Sequence, residues 1–487
     1  HAHQQHHDTL HAVNNALDTI PDGQLVGKAA GGLTGVSPAS FDAAGAAAAI
    51  TAPGRFRASP MNINGDLGGI IDQTGHAALI VRENGHITVS LADDSTIPQG
   101  LLSNDEVIAA RGSRASLDER LDAGLDEYGM ERDYLNRAWR TRWVRMLTQR
   151  LKFGDVGTQL DIACIGDSYT HNVGRWIGPF ATELRETFGD AGVGWVGFGN
   201  QGGTYKNGAA RTDVSWTATG SWDWSVYYGT RSPDLGEARS TTVGDQIVVT
   251  FPAGQASAKL YYGGTVDGQI TYKWGTDTAQ TLVLDGTGAQ VKTLVAPGSA
   301  HTTLTITVAA GTVHLFGVDI RNGSNGVRVH KLGATGSNSG QWATAAATAD
   351  WRAMIASLAP RCLVVLLGTN DQGISTAPSV FASQMSTIFD GANAALNALA
   401  FDRVLFMPPE NQRGLSVTMA SYAAAAIPVA DSQDAAYIDS QPLFGVNPAD
   451  YAYGSPRPWF ASDNIHPDPA TGGRVLADAA LRLVLNR

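Results

Sequence analysis

The chain has 487 residues, 43% of them hydrophobic and 16% charged, with 56 glycines and a formal net charge of −11. That length exceeds a single hydrophobic core and implies about two to four domains. An acidic chain without a Lys/Arg cluster is a poor partner for a phosphate backbone, and no run approaches the ~18–20 apolar residues of a membrane span, so nucleic acid and a spanning helix are both excluded as expectations.

Residues 1–55 are low in complexity and read as a tail or attachment segment. The opening HAHQQHHDTL has neither an initiator Met nor a basic-then-apolar leader. His1, His3, His6 and His7 would bind a metal only where several chains meet, and a solvated tail is the preferred reading. Residues 56–112 read as a small β-module: AALIVREN and HITVSLADD flank Asn84-Gly85, a strong short signal for a hairpin. Residues 113–150 read as a helical linker. Ser116 and Glu119 have capping-box spacing, and Leu117, Leu121, Leu125 and Tyr128 form a narrow apolar stripe. That stripe suits either a seam between sister helices or an ordinary amphipathic helix.

QLDIACIG (159–166) is a buried strand, and Phe180, Leu184 and Phe188 mark the helix after it. From 206 to 325 the chain becomes a series of short alternating segments with turn signals, the pattern of an antiparallel β-sandwich. Trp222 and Trp224 share a face there, either as core or as a sugar-stacking platform, with core preferred. After 326 strands again alternate with helices, ending in a helix with Val475, Ala479 and Leu483 on one face. Strands alternating with helices imply a parallel sheet covered on both sides. The expected architecture is therefore an α/β domain over 151–205 and 326–487, with the sandwich inserted after its first strand–helix unit. Cys164 and Cys362 read as small core residues. If Gly166 and Gly368 are level on neighbouring strands, the thiols are offset by four residues, roughly 13 Å, and form no disulfide.

In open α/β sheets the chemistry gathers at the carboxyl ends of strands. Ser168 follows the first strand, Gly333 the second, and Asn370 the third in LLGTND; Asp463 and His466 lie in SDNIHPDP before the last helix. A serine hydroxyl needs a base in hydrogen-bond reach, and the base needs an orienting partner. His466 is the candidate base and Asp463 its partner. The backbone N–H groups of Ser168 and Gly333 and the amide of Asn370 are candidate oxyanion donors. Gly199 in GFGNQGG competes with Gly333, which is preferred because a strand precedes it and a helix follows. Asp167, Tyr169, Trp342 and Trp459 are candidate substrate contacts. No metal or cofactor is required by this chemistry.

The blocks IGDSYT, LGATG, LGTND and DNIHP, in this order, resemble those of the SGNH (GDSL-type) hydrolases, over 159–205 and 326–487. The resemblance implies a flavodoxin-like αβα domain and a serine esterase, with catalytic Ser168, Asp463 and His466 and an oxyanion hole of Ser168, Gly333 and Asn370. The nucleophile does not sit in a G-x-S-x-G elbow, which sets the chain apart from ordinary α/β-hydrolases. The sandwich resembles carbohydrate-binding modules in composition alone. VIAARGSRASLDERLDAGL and the Ala/Gly-rich N-terminus resemble segments of phage tail fibres and minor tail proteins. That second resemblance implies a virion component, a homotrimer among other tail proteins, acting outside the host on an acylated cell-envelope polysaccharide or glycolipid. A receptor-binding protein on an inactive hydrolase scaffold and a secreted bacterial carbohydrate esterase are the alternatives.

Overall fold

A computed structural model describes residues 140–485, together with six strands nearer the N-terminus. The chain divides into two units, 1–117 and 118–487. In the first, β1 (Leu25–Ala29) pairs antiparallel with β2 (Gly32–Val36). The strands β3 (Arg57–Ser59), β4 (Gly68–Ile71), β5 (Ala77–Val81) and β6 (Ile87–Val89) form a four-stranded antiparallel meander. Leu79 pairs with Val89 and Val81 with Ile87, the hairpin expected around Asn84-Gly85. The His-rich opening and the Ser116–Tyr128 stripe lie outside the described residues.

The second unit runs α1 (Arg142–Lys152), β7 (Gln159–Gly166), α2 (Ser168–His171), α3 (Ile177–Phe188), then β8 (Gly194–Gln201) and β9 (Tyr205–Gly208). Further strands follow: β10 (Ser215–Thr219), β11 (Ala238–Ser240), β12 (Gln246–Thr250), β13 (Ser257–Gly263), β14 (Gln269–Trp274), β15 (Gln280–Val283), β16 (Ala289–Thr293), β17 (Thr303–Ala310), β18 (Val313–Arg321) and β19 (Gly326–Gly333). The chain closes with α4 (Ser339–Ala346), α5 (Ala349–Leu358), β20 (Cys362–Leu366), α6 (Thr369–Gly373), α7 (Pro378–Ala395), β21 (Asp402–Met407), α8 (Met419–Ser432), β22 (Ala436–Asp439), α9 (Gln441–Phe444) and α10 (Gly472–Leu485).

Five strands make a wholly parallel sheet in the order β19-β7-β20-β21-β22. Counted along the chain within this sheet, that order is 2-1-3-4-5, the flavodoxin-like arrangement, whose switch point lies between its first and third strands. Strand periodicity divides the sheet between two cores. Ala163, Ile165, Leu363, Val365, Leu405 and Met407 face α4, α5, α7 and α8. Ile162, Cys164, Val364, Leu366, Val404 and Phe406 face α1, α3 and α10. A strand buried on both faces has no polar side to show, which is why β20 and the second halves of β7 and β21 read as apolar runs, while β19 buries Arg328, His330 and Lys331 in hydrogen bonds.

Three details of the sequence reading change. Leu366, not Gly368, is level with Gly166, so Cys164 pairs with Val364 and the thiols are offset by two residues rather than four. Both are free and buried. Gly368 lies past the strand at φ 132°, turning the chain into α6. Helix α1 packs Val144, Leu147 and Leu151 into the sheet's core, and Asp402 accepts the N–H groups of Trp143 and Val144, so the α/β unit reaches back to 140. Helix α8 was not anticipated, and Pro428 within it obscures its pattern.

Between α3 and β19 the chain forms two antiparallel sheets, β10-β12-β17-β14-β15 and β16-β13-β18-β8-β9, with β11 also on β18. Ile247, Val249, Ile270, Tyr272, Leu304 and Ile306 of the first share a core with Val196, Leu260, Leu315 and Val318 of the second. These sheets begin at Gly194, ahead of residue 206, because β8 pairs with β18. Trp222 is buried in this core and Trp224 stacks on it at 6.1 Å. A buried knot ties the pair to the parallel sheet: Arg328 and His330 of β19 bond Asp161 of β7, while His330 Nδ1 accepts the Trp195 N–H.

Candidate active site

The end of β7 meets the ends of β19 and β20 at the switch point. Asp167 turns the chain there: its carboxylate accepts the Tyr169 N–H at 2.9 Å and caps α2, so Ser168 opens the helix. Ser168 is buried to 7% exposure, and its Oγ lies 2.7 Å from His466 Nε2. His466 Nδ1 lies 2.7 Å from Asp463 Oδ2, while Asp463 Oδ1 accepts the N–H groups of Ile465 and His466 at 2.9 and 3.0 Å. With the carboxylate accepting at Nδ1, the ring nitrogen facing Ser168 is the one free to take its proton.

The electrostatics match that arrangement. Burial, then the Arg175 guanidinium, hold His466 below its ordinary value, against the opposing pull of Asp463. Asp463 is pulled up by partial burial, but the His466 ring and the two backbone N–H groups outweigh this and leave it below the usual carboxylate range. Neutral His466 and ionised Asp463 are the forms a base and its orienting partner require. Asp167 behaves otherwise: burial, with Asp371 adding to it, raises its carboxyl to about 7.

The loop carrying His466 is secured by Asn464, at φ 55°. Its Oδ1 accepts the Tyr453 N–H at 2.7 Å and its carbonyl accepts the Gln412 N–H at 3.0 Å. Next to Gln412, the Arg413 guanidinium donates to the Thr369 carbonyl and, at 2.9 Å, to Asn411 Oδ1. Residues 411–413 therefore link the Asn370 block to the histidine loop. Asn370 Nδ2 donates to the Ser337 carbonyl at 2.8 Å, bringing the loop after β19 against the end of β20.

The structure corrects several site expectations. Gly333 is an enclosed strand residue: a Cβ there would lie 2.3 Å from the His171 nitrogen. Ala334 donates its N–H to the Gly166 carbonyl, and strand alternation turns the Gly333 N–H the other way. The exposed glycine of this block is Gly336, at φ 75° beside Ser337, and among the described residues no acceptor takes its N–H. Gly199 is closed off within β8, where a Cβ would meet Asn207 and Gly236. Trp342 is wholly buried and donates to Ser337 Oγ at 2.9 Å, so it supports the loop from behind instead of walling a pocket. Asp167 and Tyr169 are likewise fully buried; the Tyr169 hydroxyl donates to the Ile465 carbonyl at 2.7 Å. Trp459 is partly buried and packs edge-on against Phe444 under Arg457. The second glycine of LGATG was legible in the sequence; choosing between the two required the direction of a single N–H.

Among the described residues, no group of three or more His, Cys, Asp and Glu could hold a metal, and no helix is long and apolar enough to cross a membrane.

Residues 310–471 match the GDSL-like Lipase/Acylhydrolase family, a span that holds Gly336, Asn370, Asp463 and His466 and begins well after Ser168. The α/β fold with its parallel sheet is consistent with a hydrolase domain of that type, and the protein is a carboxylic ester hydrolase. A solved peptidoglycan O-acetylesterase is similar in fold: 21% identity over 73% of this chain and 99% of that one, with a TM-score of 0.60. An acetylxylan esterase from Geobacillus stearothermophilus matches at 19% identity over 33% of this chain and 73% of its own, TM-score 0.25. A family two carbohydrate esterase from Clostridium thermocellum matches at 12% over 56% and 98%, TM-score 0.26. At those scores neither adds to the argument. No curated protein sequence matches the chain.

Proposed function

We propose that Ser168, His466 and Asp463 form the catalytic triad of an esterase that removes O-acetyl or other acyl groups from cell-envelope glycans. The observation that carries this is the continuous chain from Ser168 Oγ through His466 to Asp463, 2.7 Å at each step. Ser168 Oγ attacks the ester carbonyl as His466 Nε2 takes its proton. The oxyanion forms facing the N–H groups of Ser168 and Gly336 and the Asn370 amide. The glycan alcohol leaves with the proton from His466, and water, activated by the same ring, hydrolyses the acyl-serine and restores the hydroxyl. A glycan O-acetyl substrate is supported by the esterase chemistry and by the fold shared with a peptidoglycan O-acetylesterase.

We place the enzyme in a phage tail, as a homotrimer assembled with other tail proteins, on the strength of VIAARGSRASLDERLDAGL and the Ala/Gly-rich opening. The test of the chemistry is hydrolysis of p-nitrophenyl acetate, butyrate and octanoate by the wild type and by Ser168→Ala. Turnover falling by about 10³-fold or more in the variant is expected. Equal turnover by both removes Ser168 from its role. Light scattering on the full chain tests the trimer, and a monomer overturns it.

A further inference from the structure

The loop bearing Gly336 is held on one side by the α/β domain, through Asn370 and Trp342. On the other side it is held by two consecutive tyrosines from the connection between β10 and β11. The Tyr227 hydroxyl accepts the Thr335 N–H at 3.0 Å, and the Tyr228 hydroxyl donates to the Thr335 carbonyl at 2.8 Å. Both polar groups of the residue before Gly336 are thereby fixed from outside the α/β domain.

Each tyrosine is itself braced. Tyr227 donates to Asn207 Oδ1 at 2.9 Å, and Asn207 Nδ2 donates to the Asp234 carbonyl at 3.2 Å. Gln201, the last residue of β8, donates to the Tyr228 hydroxyl at 2.6 Å. The two rings meet edge to face at 4.9 Å. Tyr228 stands at φ 63°, a left-handed conformation that is costly for a bulky side chain. That conformation places its hydroxyl 2.6 Å from where a Cβ of Gly336 would lie. Glycine is thus the side chain that fits beneath the tyrosine.

We propose that Tyr227 and Tyr228 are positioning residues for ester hydrolysis. The segment between α3 and β19 is then part of the catalytic apparatus: its β10–β11 connection holds Thr335 so that the Gly336 N–H points where the oxyanion forms. This rests on the reading of Gly336 as an oxyanion donor. A donor aimed in advance stabilises the transition state without reorganisation, and a loosened donor acts chiefly on kcat.

The test is steady-state hydrolysis of p-nitrophenyl acetate by Tyr227→Phe, Tyr228→Phe and Gln201→Ala in the full chain. Enzyme concentration is set by titrating the reactive serine, so poorly folded molecules drop out of kcat. Each Phe variant is expected to lower kcat about 10-fold with KM within about twofold, less than the 10²–10³ that follows loss of a donor itself. Gln201→Ala, which leaves both tyrosines in place, is expected to lose about threefold. Wild-type kcat in both Phe variants, with turnover still abolished by Ser168→Ala, overturns the positioning role alone. Turnover that survives Ser168→Ala overturns the functional reading and this proposal with it.

Discussion

Two loops face each other across Ser168, and they are built in opposite ways. In the histidine loop the relation of His466 to Asp463 is set locally: Asp463 accepts the N–H groups of residues two and three places on, and the Ala461 N–H bonds to the His466 carbonyl. Tyr453, Gln412 and Tyr169 tie the loop to the rest of the domain. Its base and orienting acid lie three residues apart, so one local turn sets their geometry. The loop from Ala334 to Asn338 has a different design. Trp342 supports it from close by, but Asn370, Tyr227 and Tyr228 come from distant parts of the chain. The first loop shows up as a short motif because its determinants are adjacent. The second does so only in part, because what aims its N–H lies about a hundred residues upstream.

If the His466–Asp463 geometry is set within one turn, changing the acid should disable the base without disturbing the far side. Asp463→Asn is expected to lower kcat by about 10²–10³-fold, since the amide no longer favours the tautomer that takes the Ser168 proton. Stability should change little, because the Asp463 side chain is about half exposed. Chemical denaturation beside kinetics checks this, and a large loss of stability would break the picture of an independent turn. On the opposite side, Asn370→Ala removes both an oxyanion donor and the tie to Ser337. A loss in kcat of about 10²-fold is expected, with KM nearly constant. A change confined to KM would instead make Asn370 a ground-state contact.

Beneath both loops, Asp167 gives a stability signature. Its carboxyl is raised in the folded protein from 3.8 to about 7, so the folded state holds a proton that the unfolded state has lost across that window. Its contribution is present below about pH 3.8 and is lost as the pH rises toward 7. Asp167→Asn is expected to flatten stability over that range, gaining on the order of 1–3 kcal/mol at pH 8. Thermal unfolding at pH 5 and pH 8 measures it, and parallel pH profiles for the two proteins would remove Asp167 from this role. The smallest effect belongs to Arg413, whose charge helps to hold His466 below its ordinary value. Activity rises with pH as His466 loses its proton, so Arg413→Gln is expected to move the acid limb of kcat/KM to higher pH. A shift to lower pH would contradict the sign.

The sequence by itself determined the chemistry and the topology around it. Apolar runs ending at Gly166 and Leu366 announce strands buried on both faces. Residues at their carboxyl ends, with Asp463 three places from His466, point to the proposed serine nucleophile and its base, because short-range spacing survives in the primary sequence. Only the tertiary structure decided which backbone N–H is available. Gly333 and Gly336 are both glycines of one motif, and strand alternation with the bond from Ala334 to Gly166 separates them. It also decided that Trp342, Asp167 and Tyr169 lie behind the site: side chains beside a motif point wherever packing sends them, and burial depends on the whole fold. The clasp by Tyr227 and Tyr228 belongs to the same class. It arises where two loops about a hundred residues apart along the chain bring hydroxyls and a peptide group within hydrogen-bond reach, and no local pattern records such a meeting.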